Sequence, residues 1–222
     1  MKAATQKFGD FQQPERTCNA CPLVLHFLND MIEYKIKGNN MRIIAGEAKG
    51  RKLTTPKNQD VRPTGDRVKE SIFNLISPYV EGAIVVDLFS GTGNLGLEAI
   101  SRGAEKVFFV DSSFSSITTI KRNINVTGFS NQSYVIHSHY EKALKNMTEK
   151  ADIFLIDPPY NKGYVMDCIE KISSYDVISD GGILMIEHSN EEKVYEKFGN
   201  VELIKRKRYG DTTISILRYR KE

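Results

Sequence analysis

Between residues 81 and 219, short apolar runs alternate with stretches whose apolar positions recur every three or four residues. Ala83 to Leu88 is an almost continuous apolar run. Lys106 to Val110, Ser133 to His137, Asp152 to Ile156 and Gly182 to Glu187 repeat that character, so each predicts a strand. Between and after them, Gly93 to Arg102, Phe114 to Val126, Tyr140 to Met147, Tyr164 to Ile172 and Glu191 to Phe198 carry helical spacing, the first two stopped by Gly103 and Gly128. Val201 to Tyr209 and Thr212 to Arg218 predict two strands joined at Gly210-Asp211, an antiparallel hairpin. Apolar strands alternating with helices imply a mostly parallel sheet covered on both faces. Five such units and the hairpin predict a seven-stranded α/β sheet, six strands parallel and one antiparallel.

Upstream the pattern changes. Met41 to Ala45 and Arg51 to Thr55 predict a small hairpin turned at Gly46 and Gly50. Arg62-Pro63-Thr64 then opens a helix with Thr64 as N-cap, and Val68, Ile72, Phe73, Leu75 and Ile76 line one face as far as Pro78. Residues 1–40 mix Gln, Asn and Lys around one apolar patch, Leu23 to Leu28, and read as an extension with a short amphipathic helix or partial disorder. The expected organisation is therefore an extension over 1–40, a hairpin and helix packed on the core over 41–80, and the main domain over 81–222.

Composition narrows the class. The chain has 222 residues, 40% hydrophobic and 27% charged, which suits one good-sized domain plus a small element. No apolar run approaches the roughly 20 residues that span a membrane, and no signal peptide is evident, so no membrane partner is expected. Three cysteines do not make a disulfide framework, which points to the reducing cytoplasm. Cys18 and Cys21 form a C-x-x-C near His26, but without a second ligand pair no metal site is expected. The net charge of +3 says little alone. Its distribution says more, with basic clusters at Lys49, Arg51 and Lys52, at Arg62, Arg67 and Lys69, and at Lys205 to Arg208. Each is an ordinary solvated face unless the active site calls for a polyanion.

Two motifs carry the chemistry. Gly91-Thr92-Gly93-Asn94-Leu95-Gly96 follows the first strand of the domain and opens its helix, a G-x-G-x-x-G in which glycines let backbone N–H groups approach a ligand. Asp111 ends the next strand, where an acid suits a ribose diol, so the pair predicts an adenosine-bearing cofactor. Asp87, just before the glycines, would repel a pyrophosphate but attract the amino group of a methionine moiety, which disfavours NAD. The second motif is Asp157-Pro158-Pro159-Tyr160 at the carboxyl end of a strand, the edge where open α/β sheets bind ligands. Two prolines hold the backbone extended and remove two donors, leaving carbonyls and a carboxylate as acceptors. An exocyclic amine has two hydrogens to satisfy. Holding them on Asp157 and the Pro158 carbonyl favours a pyramidal nitrogen whose lone pair points at a methyl donor. Tyr160 can stack on the target base.

Together with Arg62-Pro63-Thr64-Gly65-Asp66-Arg67-Val68-Lys69-Glu70, the stretch from Asp87 to Ala99 and the start and C-terminal hairpin of residues 41–220, these motifs resemble the bacterial small-subunit ribosomal RNA guanine-N2 methyltransferase family. The resemblance implies a Rossmann-like class I methyltransferase fold, S-adenosylmethionine as cofactor and a 16S ribosomal RNA guanine as acceptor, on naked RNA or the assembling small subunit. Phe89, Ser90, Gly91, Thr92, Gly93 and Gly96 would then wrap the methionine part. Asp111 and Ser112 would meet the ribose, and Arg62, Thr64 and Arg67 would lie near cofactor and base. Asp157, Pro158, Pro159 and Tyr160 would be catalytic. One departure stands out: where many relatives carry an acid after the third strand, this chain has His139 before Tyr140, so an imidazole takes the place facing the adenine. Lys49, Arg51, Lys52, Arg62 and Arg67 become candidates for RNA phosphates. A monomer is expected. A DNA adenine-N6 methyltransferase and a non-catalytic ribosome-assembly protein on the same fold are the alternatives.

Overall fold

The computed structural model describes residues 41–55 and 65–221. The extension with Cys18, Cys21 and His26 lies outside the described residues, as do Arg62 and Thr64. Helix α1 (Asp66–Ile76) has Gly65 at its N-cap, and no side chain caps it. Four strand–helix steps and a fifth strand follow: β1 (Ile84–Leu88), α2 (Asn94–Ser101), β2 (Lys106–Asp111), α3 (Phe114–Thr127), β3 (Ser133–His137), α4 (Tyr140–Lys145), β4 (Ala151–Ile156), α5 (Tyr164–Ser174) and β5 (Ile178–Ser189). The chain then makes β6 (Lys197–Phe198), β7 (Val201–Tyr209) and β8 (Thr212–Tyr219).

All eight strands form one sheet in the order β3-β2-β1-β4-β5-β8-β7-β6. Strands β1 to β5 pair in parallel, and β8 joins β5 antiparallel. Strand β7 pairs antiparallel with β8 and so runs with the first five. The six-plus-one arrangement expected from the sequence is present, with the two-residue β6 added at the edge. That addition replaces the helix expected over Glu191 to Phe198. Of the three large apolar side chains there, Val194 is buried, Phe198 half-buried and Tyr195 exposed, and the edge of β7 offers backbone partners: Lys197 pairs with Glu202 and Phe198 with Val201. The Leu203 N–H also bonds to the Glu196 carbonyl at 2.7 Å. Cross-strand bonding outweighs weak helical patterning.

The alternation of side chains along each strand divides the core in two. On one face Val85, Val107, Phe109, Ile153, Leu155, Ile183, Met185, Ile214 and Ile216 pack under α1, α2 and α3. On the other, Val86, Leu88, Val110, Phe154, Ile156, Leu184 and Ile186 pack under α4 and α5, where Cys168 is a buried free thiol. Among the described residues no helix is long and apolar enough to cross a membrane.

The 41–55 segment is a narrow hairpin with a single antiparallel rung, Arg42 against Lys52. It does not extend into a ladder because α2 and α3 take its backbone groups. Glu98 accepts the N–H groups of Ile44 and Ala45 at 2.8 and 3.0 Å, and the Ser101 carbonyl accepts that of Glu47 at 2.8 Å. Asn123 bonds both ways with Thr54. Lys69, grouped by sequence with exposed cations, is 1% exposed. Its ammonium donates to the Arg42 carbonyl at 2.5 Å and to Asn94 Oδ1 at 2.7 Å, and lies 3.1 Å from Glu98 Oε2. Burial pulls its pKa below the usual lysine value, and Glu98 pulls it back up.

Candidate active site

Strand β1 lies between β2 and β4, so connections leave it in opposite directions and open a crevice at the strands' carboxyl ends, the usual ligand position in such sheets. A cavity of about 740 Å³ occupies that end, walled by Phe89, Val110, Asp111, Ser112, His139, Tyr140, the 157–160 tetrapeptide, Tyr164 and Glu187, and closed by residues of α1, β7 and β8. Among the described residues its wall holds three carboxylates, Asp111, Asp157 and Glu187, and neither lysine nor arginine.

The glycine loop is built on Asp87. This residue is 2% exposed, and its carboxylate accepts the Gly96 N–H at 2.9 Å instead of standing on the cavity wall. Gly91 and Gly93 take left-handed φ values of 55° and 77°. Gly96 is needed for contact: a Cβ there would run into the Phe109 ring at Cε1. Ser90 is also committed inward, its hydroxyl donating to the Asp87 carbonyl at 2.6 Å. Asp87, Ser90, Gly91, Thr92, Gly93 and Gly96 therefore form the floor behind the wall. Phe89, forced to φ 60°, does reach the wall, packing against Tyr140 and Tyr164 at centroid distances of 5.1 and 5.6 Å. A non-glycine residue held there stores strain that the surrounding packing must hold.

Asp111 joins the loop to the wall. One carboxylate oxygen accepts the Gly91 N–H at 2.8 Å and the other the Ser113 N–H at 2.8 Å. His139 packs against Tyr140 in a tilted arrangement with centroids 4.5 Å apart, and the Tyr140 hydroxyl hydrogen-bonds Asp167.

The tetrapeptide follows β4 directly. Tyr160 donates its hydroxyl to Glu187 Oε1 at 3.1 Å and meets Thr212 Oγ1 at 3.1 Å, which fixes its ring as a rigid wall. The Asp157 carboxyl is held well above the usual carboxylate range, first by desolvation and then by the charges of Glu187 and Asp87. Burial also pushes Asp87 up to about 7, against the Gly96 hydrogen bond, which lowers it. An acid whose folded pKa exceeds its unfolded value holds its proton more tightly when folded. The contribution of Asp87 to stability therefore falls as pH rises from about 4 to about 7 and is level above that. Asp87→Asn keeps a carbonyl for Gly96 and cannot ionise. It is expected to raise the melting temperature by several degrees at pH 8 and by nothing at pH 3.5. Equal shifts at both values would contradict buried ionisation at this position.

Sequence reasoning did not single out Glu187, Tyr164, Tyr209 or Thr212 as site residues. Glu187 had the same signal as Asp111, an acid closing an apolar strand. Tyr209 and Thr212 reach the wall only because β8 inserts between β5 and β7, an order no local pattern encodes. The nominated cations stand elsewhere: Lys49, Arg51, Lys52 and Arg67 are exposed and off the wall. No cluster of His, Cys, Asp or Glu suited to a metal occurs among the described residues.

Residues 41–218 match the family described as Conserved hypothetical protein 95. The Bacillus subtilis protein named "Putative rRNA methyltransferase YlbH" is 38% identical over 184 residues, spanning 81% of this chain and 100% of that protein. The Haemophilus influenzae "Ribosomal RNA small subunit methyltransferase D" is 32% identical over 155 residues, 68% of this chain and 80% of its own length. Among solved structures, the "Putative methyltransferase yhhF from Escherichia coli" has a TM-score of 0.74 at 26% identity, covering 82% of this chain and 99% of that one.

Proposed function

The chain belongs to the Conserved hypothetical protein 95 family, together with ribosomal RNA small subunit methyltransferase D proteins, and on that premise we propose that it transfers a methyl group from S-adenosylmethionine to the exocyclic N2 of a guanine in 16S ribosomal RNA. The observation that carries the reading is the cavity wall, which combines aromatic faces with three carboxylates and lacks lysine and arginine among the described residues.

That wall suits the cofactor chemically. Phe89, Val110 and Tyr140 would offer apolar faces to an adenine ring, and His139 stands on the same wall. Asp111 and Ser112 offer acceptors to a ribose diol. The carboxylates favour a ligand that is cationic at its amino-acid end, and they disfavour a pyrophosphate. When bound, S-adenosylmethionine supplies an electrophilic methyl group on a sulfonium. The protein's part is positioning. The Asp157 carboxylate and Pro158 carbonyl accept the hydrogens of the target amine, while the fixed Tyr160 ring supports the base. The nitrogen sheds one proton on methylation, and Asp157, with its raised proton affinity, is the base beside it. The exposed Lys49, Arg51, Lys52 and Arg67 supply phosphate contacts outside the cavity, giving RNA affinity that falls with salt.

Calorimetric titration with S-adenosylmethionine tests the reading. Wild-type protein is expected to bind one equivalent. Asp111→Ala loses the ribose acceptor and the loop anchor at Gly91, and is expected to bind at least about tenfold more weakly. Equal affinity would remove Asp111 from the cofactor site, and no binding by wild type would remove the proposal.

A further inference from the structure

Within the proposed reaction, one acid of the wall still has no part in the chemistry. Glu187 ends the main run of β5, pairs across the sheet with Ile214 and is 6% exposed, yet it lines the cavity. It shares the sheet face of Ile214 and Met185, as Asp87 shares that of Phe109 and Leu155, so both point to the side covered by α1 and α2. Its carboxylate is close enough to Asp157 to press that group toward its protonated form. It also holds the hydroxyl of Tyr160, so the ring on which a base can stack ends at Glu187.

We infer that Glu187 selects guanine, accepting the ring N1–H while Asp157 accepts from the adjacent exocyclic amine. The inference rests on the proposed methyl transfer to guanine and adds the residue that enforces the choice of base. A base edge that meets both acceptors must present a donor to each. Guanine alone among the standard bases presents two adjacent donors, N1–H and the N2 amine, on its Watson–Crick edge. Adenine and cytosine place an acceptor beside their amine, and its lone pair would face a carboxylate that has nothing to donate. A buried acceptor facing an acceptor is what makes polar sites selective. Tyr160 makes the selection geometric: its hydroxyl fixes the acceptor and its ring fixes the plane of the base, from one side chain.

The test uses small subunits reconstituted with 16S RNA in which the acceptor guanine is kept or replaced by 2-aminopurine. The analogue retains the 2-amine but has a bare N1 acceptor in place of N1–H. Wild-type enzyme is expected to favour guanine by at least about tenfold in kcat/KM, the discrimination typical of one paired base contact. Glu187→Gln keeps an oxygen for Tyr160 but presents an amide donor, so it is expected to lose most activity on guanine and to shrink or reverse the preference. Tyr160→Phe, which removes the link but not the acceptor, is expected to slow both substrates and keep the ratio. A wild type indifferent to the two bases, or a ratio unchanged in Glu187→Gln, overturns the assignment while leaving the methyl transfer standing. A wild type that methylates no guanine removes the proposed function itself.

Discussion

Replacing Asp157 with alanine is expected to lower the turnover of methyl transfer by about 10³-fold while changing cofactor affinity little, the scale seen when one well-placed polar group is removed from a reacting centre. The cause begins in the sheet. Strand β4 delivers Asp157 to the crevice beside β1, and Pro158 and Pro159 hold the backbone beyond it extended. Desolvation and the neighbouring acids Glu187 and Asp87 raise its proton affinity. The same group can therefore hold an amine hydrogen before transfer and keep a proton after it. Asp157→Asn preserves one acceptor but not the base, so it should retain more activity than alanine and less than wild type. Because Asp157 acts in its ionised form, kcat/KM should rise with pH along a limb above the ordinary carboxylate range. Single-turnover kinetics on unmethylated small subunits measures all three. Full activity in Asp157→Ala would end the mechanism.

The largest expected loss of stability is at Glu98. This residue is 0% exposed and carries the Lys69 ammonium, the Arg102 guanidinium and two backbone N–H groups of the 41–55 hairpin. Glu98→Ala strands the Lys69 charge and both N–H groups at once. Breaking a buried pair in this way costs about 3–5 kcal/mol, because the surviving charge cannot reach water. Lys69→Met combined with Glu98→Gln removes both charges and keeps an amide oxygen for the hairpin, so the double variant should be more stable than Glu98→Ala. Urea unfolding midpoints test the order. If the double variant is the less stable of the two, the ion pair is not the source of the cost.

Much of the fold was legible along the chain because the sheet writes itself locally. Runs such as Ile153 to Ile156 are apolar on consecutive residues since both faces are covered, and Gly128 stops α3 in the left-handed conformation that glycine tolerates. The acids at strand ends, Asp111 and Asp157, could be read the same way. What could not be read depends on distant partners. Lys69 looks like its basic neighbours until Glu98, a residue on another helix, claims it. Asp87 looks like a ligand group until Gly96 takes its carboxylate. Residues 191–198 look helical until the edge of β7 offers them a strand to pair with. Tyr209 and Thr212 join the site only through strand order.

Mass mapping of modified nucleosides in 16S ribosomal RNA, from cells with and without the gene, bears on the proposed methyl transfer without intermediaries. A single N2-methylguanine is expected to disappear with the gene and to return when the wild-type protein, but not Asp157→Ala, is restored. An unchanged set of modified nucleosides, or the loss of an N6-methyladenine instead, would contradict guanine-N2 methylation by this chain.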